Sequence, residues 1–228
     1  QASLSVSDAP PVRILYVGPG NLYLRNLLRF FVNVQVTTSL RWDQEAAQSQ
    51  NQYDVVIFDH VAVPALSQGN FILINTVAPN LPLARRGTIA NPHILLPIAK
   101  HPITEGLSLG DLRIQEALNV SVKGEGVVLA RSAESAIFYA LEKDKLRLLY
   151  LGFDLMASDF PLRIAFPVLF HNALTWLQPQ RLEFPGQSAQ AGTPFVLRLP
   201  AGDSSLEITL PSGKKENYAS AANPFVFS

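Results

Sequence analysis

Asp54-Val55-Val56-Ile57-Phe58-Asp59 sets four consecutive apolar residues between two carboxylates. A strand that is apolar on both faces is buried on both faces, the condition of an inner strand in a parallel sheet covered by layers on either side. Phe71-Ile72-Leu73-Ile74-Asn75 repeats the pattern downstream. Upstream, Val12-Arg13-Ile14-Leu15-Tyr16-Val17-Gly18 runs into Gly18-Pro19-Gly20, a turn signal. Behind Asn21, a capping residue type, Leu22, Leu24, Leu27, Leu28 and Phe31 recur at helical spacing, and Val34-Gln35-Val36-Thr37-Thr38 reads as the next strand. Strand, helix, strand and strand, all reached by Asn75, predict an α/β fold: a flavodoxin-like, doubly wound, mainly parallel sheet.

Working outward, residues 41–51 are polar and predict a short helix or loop, and residues 60–70 leave room for one helical turn. Pro79, Pro82, Pro92, Pro97 and Pro102 punctuate the stretch from Thr76 to Gly110, which predicts a long irregular excursion across the sheet. Strands are expected at 112–122 and 126–131. A hairpin is expected from Ala136–Leu141 and Arg147–Phe153 about the turn Glu142-Lys143-Asp144-Lys145. A last helix is expected from Pro161 to Leu177, capped by Ser158 or Asp159 with Pro161 in its first turn. Beyond Pro179 the pattern becomes alternation broken by Gly and Pro, with strands expected near 195–199, 206–210 and 225–227. That predicts a small C-terminal antiparallel β appendage, the opening part of an Ig-like sandwich. The expected organisation is a leader at 1–11, an α/β domain at 12–178 and a partial β-sandwich-like segment at 179–228. The chain opens on Gln1 and reads as a piece of a longer polypeptide.

The composition of the 228 residues narrows the functional classes. With 48% apolar and 16% charged residues, disorder is excluded as the dominant state. Eighteen Lys+Arg against 18 Asp+Glu leave no basic footprint for nucleic acid and no electrostatic membrane anchor. The absence of Cys removes disulfides, thiolate metal sites and every cysteine nucleophile. No apolar run is long enough to span a bilayer.

Candidate chemistry is sparse. Gly18-Pro19-Gly20 lacks the third glycine and the lysine of a phosphate loop, and Pro19 removes a donor, so it reads as a plain turn. Gly106-Leu107-Ser108-Leu109-Gly110 matches the nucleophile-elbow string, but a proline-bearing loop precedes it where the elbow requires a strand. His93 and His101 fall in the long loop, and His171 lies among Phe166, Leu169, Phe170 and Leu174 as a core or boundary residue. Asp59-His60 is the pair of most interest, because α/β sheets place ligands at the carboxyl ends of their strands. Asn75, Thr76 and Asp154 also follow strands. These five residues form the candidate ligand site, each with a plainer role as a turn or cap. No metal ligand set and no cofactor is expected.

The order of these segments carries a resemblance. The strands Asp54–Asp59 and Phe71–Asn75, the loop His101-Pro102-Ile103-Thr104-Glu105-Gly106-Leu107, then Gly152-Phe153-Asp154 and Ser158-Asp159-Phe160-Pro161-Leu162-Arg163 with the apolar helix after it resemble a known family. It is the class I glutamine-amidotransferase-like domain of bacterial membrane proteins that also carry a von Willebrand factor A domain, the aerotolerance or Bat-like group. The resemblance covers residues 12–178. It implies an amidotransferase-like fold and a setting in the cell envelope, on the periplasmic side of the inner membrane, with the membrane reached only through segments absent from this chain. Amidotransferases of this fold place a Cys on an elbow after a central strand. The matching strand here runs into Asn75-Thr76-Val77-Ala78-Pro79, and the paired His-x-Glu is missing. The expectation is therefore a catalytically inactive interaction or scaffold domain, binding protein partners or other domains of its own polypeptide and no nucleic acid. The alternative is a hydrolase or small-ligand-binding domain whose site at the strand carboxyl edge uses Asp59, His60, Asn75, Thr76 and Asp154.

Overall fold

The computed structural model describes residues 11–31 and 33–178, together with four short strands beyond residue 194. The expected leader thus lies outside the described residues except for Pro11. The α/β part belongs to a compact unit, Pro11–Leu182, and the four later strands to a second.

In the first unit, seven strands form one sheet: β1 (Val12–Val17), β2 (Val34–Ser39), β3 (Val55–Asp59), β4 (Gly69–Ile74), β7 (Val127–Arg131), β8 (Ala136–Lys143) and β9 (Leu146–Leu151). Their order is β2-β1-β3-β4-β9-β8-β7. The first five run parallel, and β8 and β7 close the sheet as antiparallel strands. The α/β, mainly parallel expectation holds. The alternation of each strand then sorts its apolar residues to two faces. Ile14, Ile57, Ile72 and Leu149 meet α1 (Leu22–Phe30) and α3 (Ala165–Leu177) on one face. On the other, Leu15, Val56, Phe58 and Leu73 meet Ala46 of α2 (Gln44–Ser49) and an antiparallel ribbon.

That ribbon was not expected. β5 (Leu83–Ala90) and β6 (Glu116–Val122) pair antiparallel as a separate two-stranded sheet, so the stretch from Thr76 to Gly110 is not wholly irregular. The register slips between Arg85 and Gly87, where Gly87 holds φ +135°, and this bulge hides the alternation in sequence. Residues 112–115 lie outside β6, with Ile114 making only an isolated bridge to Ser158. β3 and β4 are joined by residues 60–68 without a helix.

The last helix also starts later than expected. Pro161 sits in a separate 3-10 turn, Phe160–Leu162, and Arg163 is extended, so α3 begins at Ala165 with no side-chain cap. Asp159 is occupied elsewhere. Its carboxylate pairs with Arg163 at 2.6 Å and accepts the Arg113 N–H at 3.0 Å. The paired guanidinium holds the Asp159 carboxyl below its usual range. Ser158 Oγ accepts from the Phe160 N–H at 3.3 Å. The Ser158–Arg163 segment is a clasp that buries Phe160 against Phe138, Phe153 and Phe166.

In the second unit, β10 (Phe195–Leu197) pairs antiparallel with β13 (Phe225–Phe227), and β11 (Ser205–Thr209) with β12 (Lys215–Ala219). The appendage is therefore antiparallel β. β12, Lys215-Glu216-Asn217-Tyr218-Ala219, is too polar to have been recognised as a strand.

Candidate functional site

β1, β3, β4 and β9 are parallel and end at one edge of the sheet, so the residues that follow them come together there. Asp59, the last residue of β3, is 2% exposed. Tyr16, one residue before the end of β1, donates its hydroxyl to Asp59 Oδ2 at 2.6 Å. His60 Nδ1 lies 2.5 Å from Asp59 Oδ1. On the far side of the ring, His60 Nε2 is 2.8 Å from Asn75 Nδ2 and 3.6 Å from Asp154 Oδ2. Asp154 in turn accepts the Met156 N–H through Oδ1 at 2.8 Å. The result is a chain from Tyr16 through Asp59 and His60 to Asn75 and Asp154.

The proton inventory follows from donors and acceptors. A carboxylate at Asp59 accepts from both Tyr16 and His60 Nδ1–H, which leaves Nε2 of the neutral ring as the acceptor of the Asn75 amide. Protonating Nε2 turns it into a donor. Asn75 must then turn its oxygen toward the ring, and Asp154 supplies the nearby negative charge. The hydrogen bond to Asp59 raises the His60 pKa above its ordinary value, aided by the Asp59 and Asp154 charges and opposed by partial burial. Burial, with the hydrogen bond and charge of Asp59, pushes the Tyr16 phenol far above its ordinary range, so it stays a neutral donor.

The backbone at this edge is unusual. His60 holds φ +57° and Asn75 φ +52°, both in the left-handed region. Non-glycine residues there are held by their surroundings at about 1–3 kcal/mol each, and such strain concentrates at functional sites. The Gly18-Pro19-Gly20 turn closes over Asp59 from β1. A Cβ on Gly18 would stand 2.6 Å from the Asp59 carbonyl oxygen and 3.0 Å from the Tyr16 hydroxyl. The glycine is there for backbone approach and not for phosphate.

Of the five residues expected from sequence, Asp59, His60, Asn75 and Asp154 converge. Thr76 does not: its hydroxyl donates to the Val61 carbonyl at 2.7 Å. The left-handed position after β4 falls one residue earlier, on Asn75, a residue type that tolerates it. Tyr16 was missed, because an aromatic in an apolar strand reads as packing. The only available signal was a polar tip at the carboxyl end of a strand.

The other motifs are structural. Ser108 is exposed in a loop without a preceding strand. His101 caps a 3-10 turn, accepting the Ile103 N–H at Nδ1 over 3.2 Å while its own N–H goes to Thr104 Oγ1 at 3.0 Å. His93 is exposed, and the His171 ring faces Phe31 at 6.5 Å. Among the described residues, no cluster of three His, Asp or Glu side chains is placed to hold a metal. A cleft of ≈ 570 Å³ lined by Leu66, Pro82, Lys143 and Leu146 lies at the opposite edge, beyond the strand amino termini.

No protein-family profile and no curated protein matches the chain. Solved structures do. The cytoplasmic protein STM1381 from Salmonella typhimurium LT2 matches with TM-score 0.59 and 15% identity, over 72% of this chain and 99% of its own. The cytoplasmic protein STM3548 from Salmonella typhimurium gives 0.59 and 13%, over 75% and 99%. A GMP synthase-like protein from Thermoplasma acidophilum gives 0.53 and 10%, over 74% and 95%. The expected envelope setting is corrected by these findings, because two of the matching structures are described as cytoplasmic proteins. No helix among the described residues is long and apolar enough to cross a membrane. At these identities the likeness concerns the fold alone, a mainly parallel, flavodoxin-like α/β sheet.

Proposed function

We propose that this domain is an amidotransferase-like module that has no glutaminase activity and works by binding, engaging a protein partner or another domain of its polypeptide. The observation that carries the reading is the end of β4. Covalent glutamine hydrolysis needs a thiol or hydroxyl on a strained turn, within reach of a base and of oxyanion donors. Here the left-handed position holds Asn75, whose amide nitrogen is bonded to His60 Nε2. A carboxamide is not a nucleophile that yields a hydrolysable acyl intermediate. Thr76 is β-branched and its hydroxyl is committed to Val61. The Asp59–His60 pair is a base with nothing to activate. Kinship with the von Willebrand factor A-associated group rests on the His101–Leu107 and Ser158–Arg163 segments, which here build a capping box and the clasp before α3.

A second reading is favoured by the paired left-handed residues. The edge is a small-ligand site, where His60, Asn75 and Asp154 present donors and an acceptor to a polar group. Glutamate release by the purified chain separates both binding readings from a hydrolase. The binding reading expects release indistinguishable from buffer across the titration of His60. Release that disappears in His60→Ala would establish a hydrolase.

A further inference from the structure

The two edges of the seven-stranded sheet are treated differently. At the β7 edge, the Leu95 N–H donates to the Arg131 carbonyl and the Ala99 N–H to the Leu129 carbonyl, both at 2.8 Å, and the strand carries two register irregularities. A covering loop and bulges are the usual protection of an edge. Among the described residues, the β2 edge has none of this. β2 pairs with β1 without a slip through all its residues, it contains no charge and no proline, and Gln35, Val36, Thr37 and Thr38 are exposed. Among the described residues no strand lies on its outer side.

The hydrogen bonds at its two ends fix which backbone groups point outward. The Val12 N–H donates to the Asn33 carbonyl and the Gly18 N–H to the Ser39 carbonyl. Odd-numbered residues of β2 therefore face β1, and Val34, Val36 and Thr38 turn their N–H and C=O groups away from the sheet. We propose that this edge joins a second copy of the chain, β2 against β2, antiparallel about a two-fold axis at Val36.

The strand is self-complementary in that arrangement. Val36 faces its own copy, Val34 faces Thr38, and each such pair exchanges two backbone hydrogen bonds. Gln35 and Thr37 face each other in the intervening positions. No like charges oppose one another, the condition most edge strands are built to violate. Phe30 precedes the strand at 84% exposure and Leu40 follows it at 77%. Antiparallel pairing brings the Leu40 end of one copy to the Phe30 end of the other. The first charge after the strand in sequence, Arg41, has Asp43 at 3.9 Å within its own chain.

Sedimentation velocity on the full chain over a concentration series tests this. The wild type is expected to be a reversible dimer. Val36→Pro removes an N–H that bonds nothing among the described residues, and it should raise the dissociation constant at least about tenfold, 1.4 kcal/mol, with unchanged circular dichroism. Val36→Lys and Val36→Glu should each be monomeric, and their equimolar mixture should dimerise again. A monomeric wild type would overturn the proposal, as would a dimer indifferent to these substitutions or a mixture that stays monomeric. A strand supplied by a different protein would show as a monomeric chain that gains mass only with that protein, which also overturns it.

Discussion

Asn75 Nδ2 stands 2.8 Å from His60 Nε2, and both residues hold left-handed backbone, at φ +52° and +57°. Two strained residues thus lock each other at the ends of adjacent parallel strands, over the buried carboxylate of Asp59. The hydrogen bond is made to the neutral imidazole, whereas Asp59 favours the protonated one. The balance between them sets how the edge responds to pH.

The first prediction concerns that balance. The folded pKa of His60 is raised above its ordinary 6.5 by Asp59. The stabilisation from the protonated ring is therefore complete below the unfolded pKa and is lost as pH rises through the folded one. Denaturant midpoints should fall across that interval. Asp59→Asn should bring the pKa down and flatten the interval, read by ring NMR titration alongside urea melts. A His60 that titrates below 6.5 in the wild type would contradict the arrangement.

Asn75→Gly should leave stability within about 1 kcal/mol, because relief of the left-handed strain offsets the lost hydrogen bond. The His60 pKa should rise further, since the neutral ring loses its donor. Asn75→Ala keeps the strain without the bond and should be about 1–2 kcal/mol less stable than the glycine variant. Equal stability of the two would mean that the backbone there is not strained.

Tyr16→Phe removes a donor from a buried carboxylate oxygen. A loss of about 1–3 kcal/mol in chemical denaturation is expected. An unchanged midpoint would show that water replaces the phenol and that Asp59 is not sealed.

The two glycines of the first turn should separate cleanly. Gly18→Ala drives a Cβ to 2.6 Å from a backbone oxygen of Asp59, which cannot move without the strand. About 1–3 kcal/mol of overpacking is expected, with a shifted His60 resonance. Gly20→Ala meets nothing within 4 Å and carries only the strain of φ +97°. It should leave His60 unmoved. The reverse order would remove Gly18 from the site.

The sheet was legible because strands buried on both faces leave unbroken apolar runs, as in Val55–Phe58 and Phe71–Ile74. β5 was not, because Arg85, Arg86, Gly87 and Thr88 are all exposed and a bulge between Arg85 and Gly87 shifts the period. The start of α3 was misplaced because Asp159, a good cap by type, binds Arg163 instead. Four site residues could be named because residues that follow parallel strands share one edge. Thr76 failed by a single position, since sequence does not say where the left-handed turn falls. Tyr16 could not be seen, because the partner that makes its hydroxyl functional is 43 residues away.

Intact-mass spectrometry after incubation with an electrophilic glutamine analogue tests the central claim most directly. A β4 turn that carries an amide bound to His60 leaves nothing to alkylate as a glutaminase nucleophile, and the mass should remain that of the unmodified chain. A stoichiometric adduct mapped to Thr76 or Ser108, and lost in His60→Ala or His101→Ala, would contradict the account and make the edge an active site.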